Sequence, residues 1–447
     1  MLKEMKSPPL WVGSGAAYPF SETLAKRLTL MSKYESVFPL YKRQGNLLLV
    51  PRGLAPEGGE DRRVYGVNTP LKNLFVPRSS EQSRVVAESS ALLLQGRSHI
   101  VEAPTGFGKT YVGSAIIANT GKKALVILTK EDIKSQWVKA FKDVLGLKSS
   151  EIGLIQGDTV SVANKKVVLA MVHSICKEGR YPSWVYQEFG LVVADEVHRM
   201  GADTFCQAMW LLPGALRLGL SASPYRKDGK DVVFKTQIGP VAVRSEAYPL
   251  IPRVMVLSSG AYLPPMKVQA GRTAHIDRML SKNTVRNRLM AHFILKAWRK
   301  KRNILFLSSR LEHLQTMHDI LIGVGVKASD IGFYVGGLTE AQRDVAKRKD
   351  VVMGTYQMVA EATDAPWWDT LILGTPRSDV LQIVGRVLRE YEGKCNAGEE
   401  NETQKCPIVL DIQDGALSIL RRYADSRLKF YRKLGAPVKR ISLEVAA

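Results

Sequence analysis

The stretch Ala103-Pro104-Thr105-Gly106-Phe107-Gly108-Lys109-Thr110 most narrows what this chain can fold into. It follows a short apolar run, Ile100-Val101, and opens a segment from Tyr111 to Ala118 whose small and apolar residues suit a buried helix. A glycine-rich turn set between strand and helix is the context of a phosphate-binding loop. Gly106 and Gly108 let successive backbone N–H groups converge on one point, and the helix adds the positive end of its dipole. Such a point takes an anion. Lys109 suits the β- and γ-phosphates of a nucleotide, and the Thr110 hydroxyl suits the Mg²⁺ that bridges them. An ordinary glycine-rich turn is the plainer alternative, but the flanking strand and helix favour the nucleotide.

The remaining pattern extends this start. From about Val76, near-continuous apolar runs alternate with helical stretches: Ile100-Val101, Ala124–Leu128, Val167–Ala170, Leu191–Ala194 and Leu218–Leu220. Runs without polar alternation are strands buried on both faces, the mark of a parallel sheet with crossover helices. A second series repeats the design at Asn303–Leu307, Ile331–Val335, Val351–Met353, Leu371–Leu373 and Ile408–Leu410. It has no phosphate loop, so one nucleotide site is expected to serve two lobes.

At 447 residues the chain exceeds a single ordinary core, and the expected division is 1–75, 76–250, 251–415 and 416–447. The first segment, with a strand at Leu47–Val50, reads as a small N-terminal accessory domain whose Lys26, Arg27, Lys42, Arg43, Arg52, Arg62 and Arg63 suit a duplex arm or a solvated surface equally. Charge is the informative part of composition. Against 42 Asp+Glu stand 64 Lys+Arg, a net charge of +22, which draws the protein to polyanions and above all to nucleic acid. A connector from Arg253 to Arg302, with Asp277 as its one carboxylate, gathers Arg286, Arg288, Arg299, Lys300, Lys301 and Arg302, a run expected to meet phosphate. No apolar run reaches transmembrane length, and the first nine residues do not resemble a secretory signal, so a cytoplasmic location is expected. The four cysteines lack metal-binding spacing, and no metal beyond Mg²⁺ is expected.

Two further constellations carry chemistry. Leu191-Val192-Val193-Ala194-Asp195-Glu196-Val197-His198 sets two acids at the tip of a buried strand, where they are costly unless a cation compensates. Asp195 is the expected Mg²⁺ ligand, and Glu196 the residue that orients or deprotonates the attacking water. In Gln382-Ile383-Val384-Gly385-Arg386-Val387-Leu388-Arg389, helical spacing puts Gln382, Arg386 and Arg389 on one face. In a lobe without its own phosphate loop, these arginines are suited to stabilise the transferring phosphoryl group.

With these residues in place the chain resembles a superfamily 2 helicase or translocase over roughly Val76 to Asp414. It is most similar to the subgroup that remodels branched DNA, through a stretch that resembles that subgroup's third motif, Gly219-Leu220-Ser221-Ala222-Ser223-Pro224-Tyr225-Arg226-Lys227-Asp228-Gly229. The resemblance implies two RecA-like parallel-sheet lobes in tandem, an α/β fold, with ATP and Mg²⁺ as cofactors. It implies motif I at Ala103–Thr110, with Thr105, Gly106, Gly108, Lys109 and Thr110 on the nucleotide, motif II at Asp195–His198, coupling through Ser221 and Ser223, and motif VI at Gln382–Arg389. It further implies strand contacts by Thr129, Lys130, Ser174, Ser308, Arg310 and Thr355, nucleotide contact by Asp364, and an adenine-reading role for Gln82. The segment departs from the subgroup at Ala362, where glycine is usual, and at Met171, where a threonine is common.

The resemblance thus implies a monomeric ATP-dependent DNA helicase moving 3′ to 5′ on forks or junctions, with single strands and branched duplex as its partners and replication or recombination proteins as possible companions. The alternatives are an RNA helicase, an ATP-switched nucleic-acid-binding scaffold and the motor subunit of a nuclease. Glu390 to Gln404 reads as a loop insertion. Trp367-Trp368 reads as core packing, with a strand-separating wedge as the alternative, and Arg421 to Lys433 as a basic tail helix that grips phosphate or is merely solvated.

Overall fold

The computed structural model describes residues 10–12, 15–31, 37–54, 60–197, 202–225, 231–246, 248–264, 273–360 and 365–441. His198, the Arg226-Lys227-Asp228-Gly229 end of the third motif and Glu361 to Asp364 lie outside the described residues. Two compact units meet in the chain between residues 247 and 248, with the three residues Thr105–Phe107 counted in the second.

An eight-stranded sheet organises the first unit, in the order Thr159–Ser161, Ile152–Gln156, Val167–Met171, Ala124–Leu128, Leu191–Asp195, Leu216–Ser221, His99–Glu102, Val241–Arg244. Every residue of Ala124–Leu128, Val167–Met171 and Leu191–Asp195 is buried, as a strand covered on both faces requires. All neighbours run parallel except the edge hairpin formed by the first two strands. Parallel register puts Ser221 beside Glu102 and Asp195 beside Leu220. The phosphate loop, the acid pair and the third motif therefore leave the same edge of one sheet.

Ahead of it, Lys42–Gln44, Leu47–Pro51, Gly15–Pro19, Leu10–Val12 and Glu60–Arg62 form a five-stranded sheet in that order. This sheet does not stand apart. Ala16, Tyr18, Leu48 and Val50 share one apolar core with Ile100, Val192, Phe205 and Met209. Buried Arg52 donates to the carbonyls of Pro213 at 3.1 Å and Ala215 at 2.9 Å, and Lys42 pairs with Glu178 at 2.9 Å. Arg52 is thereby withdrawn from any duplex arm.

The second unit carries a seven-stranded, all-parallel sheet ordered Ile331–Tyr334, Val351–Thr355, Ile304–Ser308, Thr370–Leu373, Ile408–Gln413, Arg253–Ser258, Val438–Ile441. What reads as a basic connector is part of this unit: the strand Arg253–Ser258 and the helices Ala274–Ser281 and Thr284–Arg299. Its expected phosphate contact is corrected at two positions. Arg286 is fully buried with its guanidinium on both oxygens of Asp414, at 2.9 and 3.0 Å, and Arg302 meets Asp369 at 3.1 Å. A buried guanidinium needs a matched carboxylate, and these two have one. Arg288, Arg299, Lys300 and Lys301 remain exposed. The tail helix Ser418–Lys433 divides in the same way: Arg427 is buried on Asp411, while Arg421, Arg422, Arg432 and Lys433 face outward. Trp368 is fully buried, and the indole N–H groups of Trp367 and Trp368 both donate to the Lys347 carbonyl, at 3.0 and 3.1 Å. The pair packs the core. Among the described residues no helix is long and apolar enough to cross a membrane.

Candidate nucleotide-binding site

The loop leaves the strand His99–Glu102 and ends in the helix Lys109–Thr120. Gly106 and Gly108 have φ of 92° and 81°, left-handed backbone that glycine adopts without strain. Gly108 caps the helix with no side-chain bond, leaving the first N–H groups of that helix to a ligand. Nothing bulkier suits it: a Cβ at Gly108 would lie 3.1 Å from Nε2 of Gln82.

Lys109 is almost wholly buried, and its ammonium donates to the loop's own carbonyls, Ala103 at 3.1 Å and Pro104 at 3.3 Å. It also stands 3.7 Å from Oε1 of Glu196. The chain thus folds its lysine back onto its own loop. The third motif is joined to this loop through backbone. Ala103 N–H donates to the Ser221 carbonyl at 3.0 Å, and Ser223 N–H donates to the Ser221 hydroxyl at 3.1 Å. A shift at one is felt at the other.

Asp195 ends its strand almost fully buried. Burial, and then the like charge of Glu196, push its carboxyl up to about 6, while the Trp137 indole and Lys109 act in the opposite sense. The Trp137 N–H donates to Oδ2 of Asp195 at 2.8 Å. Glu196 has φ of 49°, a left-handed conformation that costs a residue with a Cβ about 1 kcal/mol or more and that clusters at functional sites. Two adjacent acids beside a nucleotide-shaped loop are what a hard cation repairs. The oxygen donors Asp195 and Thr110 fit Mg²⁺, which is held by one or two carboxylates together with phosphate and water. Among the described residues no three His, Cys, Asp or Glu converge into an all-protein cation cage.

Gln82 lies near the start of the helix Ser80–Leu94, buried, its Oε1 accepting from Arg78 N–H at 2.7 Å and its Nε2 facing Gly108. Trp137 is the functional neighbour that sequence reasoning misses. Its helix, Glu131–Leu145, buries Ile133, Trp137, Ala140, Phe141 and Val144, so the periodicity announces only a core aromatic.

The expected strand-contacting residues fall into two groups. Thr129, Lys130, Arg310 and Thr355 are partly exposed at strand ends, and among the described residues the Thr129 hydroxyl and Arg310 Nε have no hydrogen-bond partner. Ser174 is buried, accepting from Gly157 N–H at 2.9 Å. Ser308 is fully buried, its hydroxyl 3.0 Å from His313 Nδ1 and accepting from Arg310 N–H at 3.1 Å. The Ser308 hydroxyl shapes the turn that presents Arg310. His313 is buried, pushed down to about 3 by burial and by Arg286, so it is neutral, with Nε2 3.0 Å from Asn287.

In the second unit Arg386 is buried and donates to the Ala360 carbonyl at 2.7 Å. Its helix spans only Leu381–Val387, so Gln382 and Arg386 share a face but Arg389 lies past the end. The expected helical placement of Arg389 is corrected accordingly. Asp364 falls outside the described residues.

Residues 76–226 match the family described as Type III restriction enzyme, res subunit. A protein of Acanthamoeba polyphaga mimivirus named as an ATP-dependent RNA helicase is 26% identical over 410 residues, covering 89% of this chain and 76% of its own. A protein of Escherichia phage T5 named as a helicase is 28% identical over 401 residues, covering 87% and 82%. The solved structure of S. cerevisiae Dbp5 bound to RNA and ADP BeF3 covers 81% of this chain and 89% of that one, with a TM-score of 0.54 at 13% identity. That likeness is one of fold, two RecA-like lobes in tandem.

Proposed function

We propose that this chain is a superfamily 2 helicase, an ATP-dependent DNA helicase or translocase that works 3′ to 5′ on forks or four-way junctions, a reading the family match and the two viral relatives support. The observation that carries the ATP-driven part is the meeting of Lys109, Asp195 and Glu196 at the glycine-rich loop. The loop N–H groups and Lys109 bind the β- and γ-phosphates, and Lys109 leaves the Ala103 and Pro104 carbonyls to do so. Thr110 and Asp195 would hold Mg²⁺, which would supply neutralisation of the phosphate charge. Glu196 aligns the attacking water and receives its proton. Gln82 reads the adenine edge, Asp364 adds a nucleotide contact, and Gln382, Arg386 and Arg389 stabilise the charge that develops on the transferring phosphoryl group.

Ser221 and Ser223 couple hydrolysis to the nucleic acid on this reading, which is supported by the Ser221 carbonyl accepting from Ala103 N–H of the loop and by Ser223 N–H donating to the Ser221 hydroxyl. Thr129, Lys130, Ser174, Arg310 and Thr355, with Ser308 behind Arg310, form the strand-contacting set. The net charge of +22 supports a phosphate-backbone grip, and the similarity of Ser221–Gly229 to the branched-DNA subgroup supports DNA forks. The RNA reading has an observation of its own in the mimivirus relative's name.

One experiment separates them: ATPase rate with single-stranded DNA, duplex DNA, a four-way junction and structured RNA at one salt concentration. Greatest stimulation by the junction is expected. Stimulation by RNA alone would replace the DNA reading with an RNA helicase, and an unstimulated rate would leave only an ATP-switched scaffold.

A further inference from the structure

We infer that Lys394 is a positioning residue for hydrolysis, holding the chain end that presents Arg389; this rests on the proposed role of Arg386 and Arg389 in phosphoryl transfer. The helix Leu381–Val387 stops two residues before Arg389, so helical geometry does not fix that arginine. Something else must. The ammonium of Lys394 donates to the carbonyls of Val387 at 3.0 Å, Arg389 at 3.1 Å and Pro366 at 2.6 Å. Its three donors are matched by three acceptors. The Val387 carbonyl ends the helix, at the negative end of its dipole, where a cation is favoured. One side chain therefore ties the backbone of Val387 and Arg389 to Pro366, two residues past Asp364.

Lys394 is itself anchored. It lies in the segment read from sequence as a loop insertion, and that segment is fastened at several points to its own unit. Lys405 N–H donates to the Gly393 carbonyl at 2.9 Å, and the Lys405 ammonium donates to the carbonyls of Lys300 and Lys301 at 3.2 and 3.0 Å. Asn396 accepts from Ile251 N–H at 3.0 Å, and Glu400 meets Arg253 at 2.7 Å. The insertion is a clasp with Lys394 as its inward-reaching member. Burial, with Arg389 and Arg302, pushes the Lys394 ammonium down to about 7, against Asp369, which acts in the opposite sense. A lysine needed just for solubility would point outward.

The test uses the full chain as Lys394→Met, Lys394→Arg, Arg389→Ala and the double variant Lys394→Met/Arg389→Ala. The readouts are kcat and KM for ATP with whichever of single-stranded DNA and RNA stimulates more, together with the melting midpoint. Lys394→Met is expected to keep its midpoint and its KM within about twofold while kcat falls about tenfold or more, and Lys394→Arg to recover most of that loss. In the double variant, kcat is expected to fall no further than in Arg389→Ala alone, because both changes act through one group. A kcat for Lys394→Met within about twofold of the parent, additive losses in the double variant, or a loss that follows the melting midpoint overturns the inference. If Arg389→Ala turns over normally, the role given to Arg389 fails and takes this inference with it. If Arg389→Ala is inactive while Lys394→Met is not, only the inference falls.

Discussion

Replacing Asp195 by Asn separates the electrostatic cost of the acid pair from its use. In an unfolded chain this carboxyl ionises near 3.8, and in the fold near 6, because burial and the neighbouring charge of Glu196 oppose the anion. Below about pH 3 both states are largely protonated and the group contributes little, and even at pH 4 its effect is only about 0.5 kcal/mol. As pH rises to about 6 the unfolded chain ionises first, so stability is lost across that window. Above it both states are ionised and the folded state carries the whole penalty. At 1.36 kcal/mol per pH unit, the separation of the two values amounts to roughly 3 kcal/mol. Asn keeps the shape and an oxygen acceptor for the Trp137 N–H, and removes the charge. In chelator at pH 8 the variant should therefore be more stable than the parent by roughly 2–3 kcal/mol, which for a unit of this size raises the melting midpoint by on the order of 5 °C. Near pH 4 the two should nearly coincide, and the variant's ATPase should be abolished at every pH. The assay is thermal melting from pH 4 to 8, with turnover measured on the same samples. A variant no more stable than the parent at pH 8, or equally stabilised at pH 4, refutes the assignment of Asp195 as a charge held at a cost for a ligand.

Lys109→Ala should abolish ATP turnover yet retain most of the salt-sensitive nucleic-acid binding, because that attraction is spread over a chain of net charge +22; a salt titration of binding checks it, and parallel loss of both counts against it. Trp137→Phe keeps a buried ring but removes the N–H that favours the Asp195 anion, so the acid limb of the kcat/KM profile for ATP should move to higher pH with activity recovering in alkali; an unmoved limb sinks the idea. Arg286→Ala leaves Asp414 buried without its cation and should cost about 3–5 kcal/mol in urea unfolding, against under about 1 kcal/mol for Arg288→Ala on the exposed face of the same helix.

The strands and the phosphate loop were legible because their signals are local. A run such as Val167–Ala170 tolerates only a doubly covered strand, and glycines 106 and 108 sit where left-handed backbone is needed. The same locality explains what sequence could not tell. Arg286, Arg302 and Arg427 look like their exposed neighbours until Asp414, Asp369 and Asp411, each tens of residues or more distant except the last, close on them. Ser308 reads as a hydroxyl at a strand end, and only the fold shows it turned onto His313. Helical spacing suggested one face for Gln382, Arg386 and Arg389, but where a helix stops depends on capping, and Lys394 reaches these carbonyls from outside the helix.

Buried charge therefore sorts into two kinds, and the sorting separates framework from chemistry better than burial does. Arg286 and Arg427 each have a carboxylate meeting the guanidinium twice. Such pairs are complete without any ligand, and no exchange of partners is required for function. Asp195, Glu196 and Lys109 are arranged otherwise. Like charge faces Asp195, Glu196 occupies strained backbone, and Lys109 rests on carbonyls of the very loop it would leave. Each of these three would gain from a phosphate and its cation, and none of the framework arginines would. On the proposed reading, that imbalance is what a nucleotide would relieve on binding, and the bond from Ala103 N–H to the Ser221 carbonyl would carry the change to the third motif.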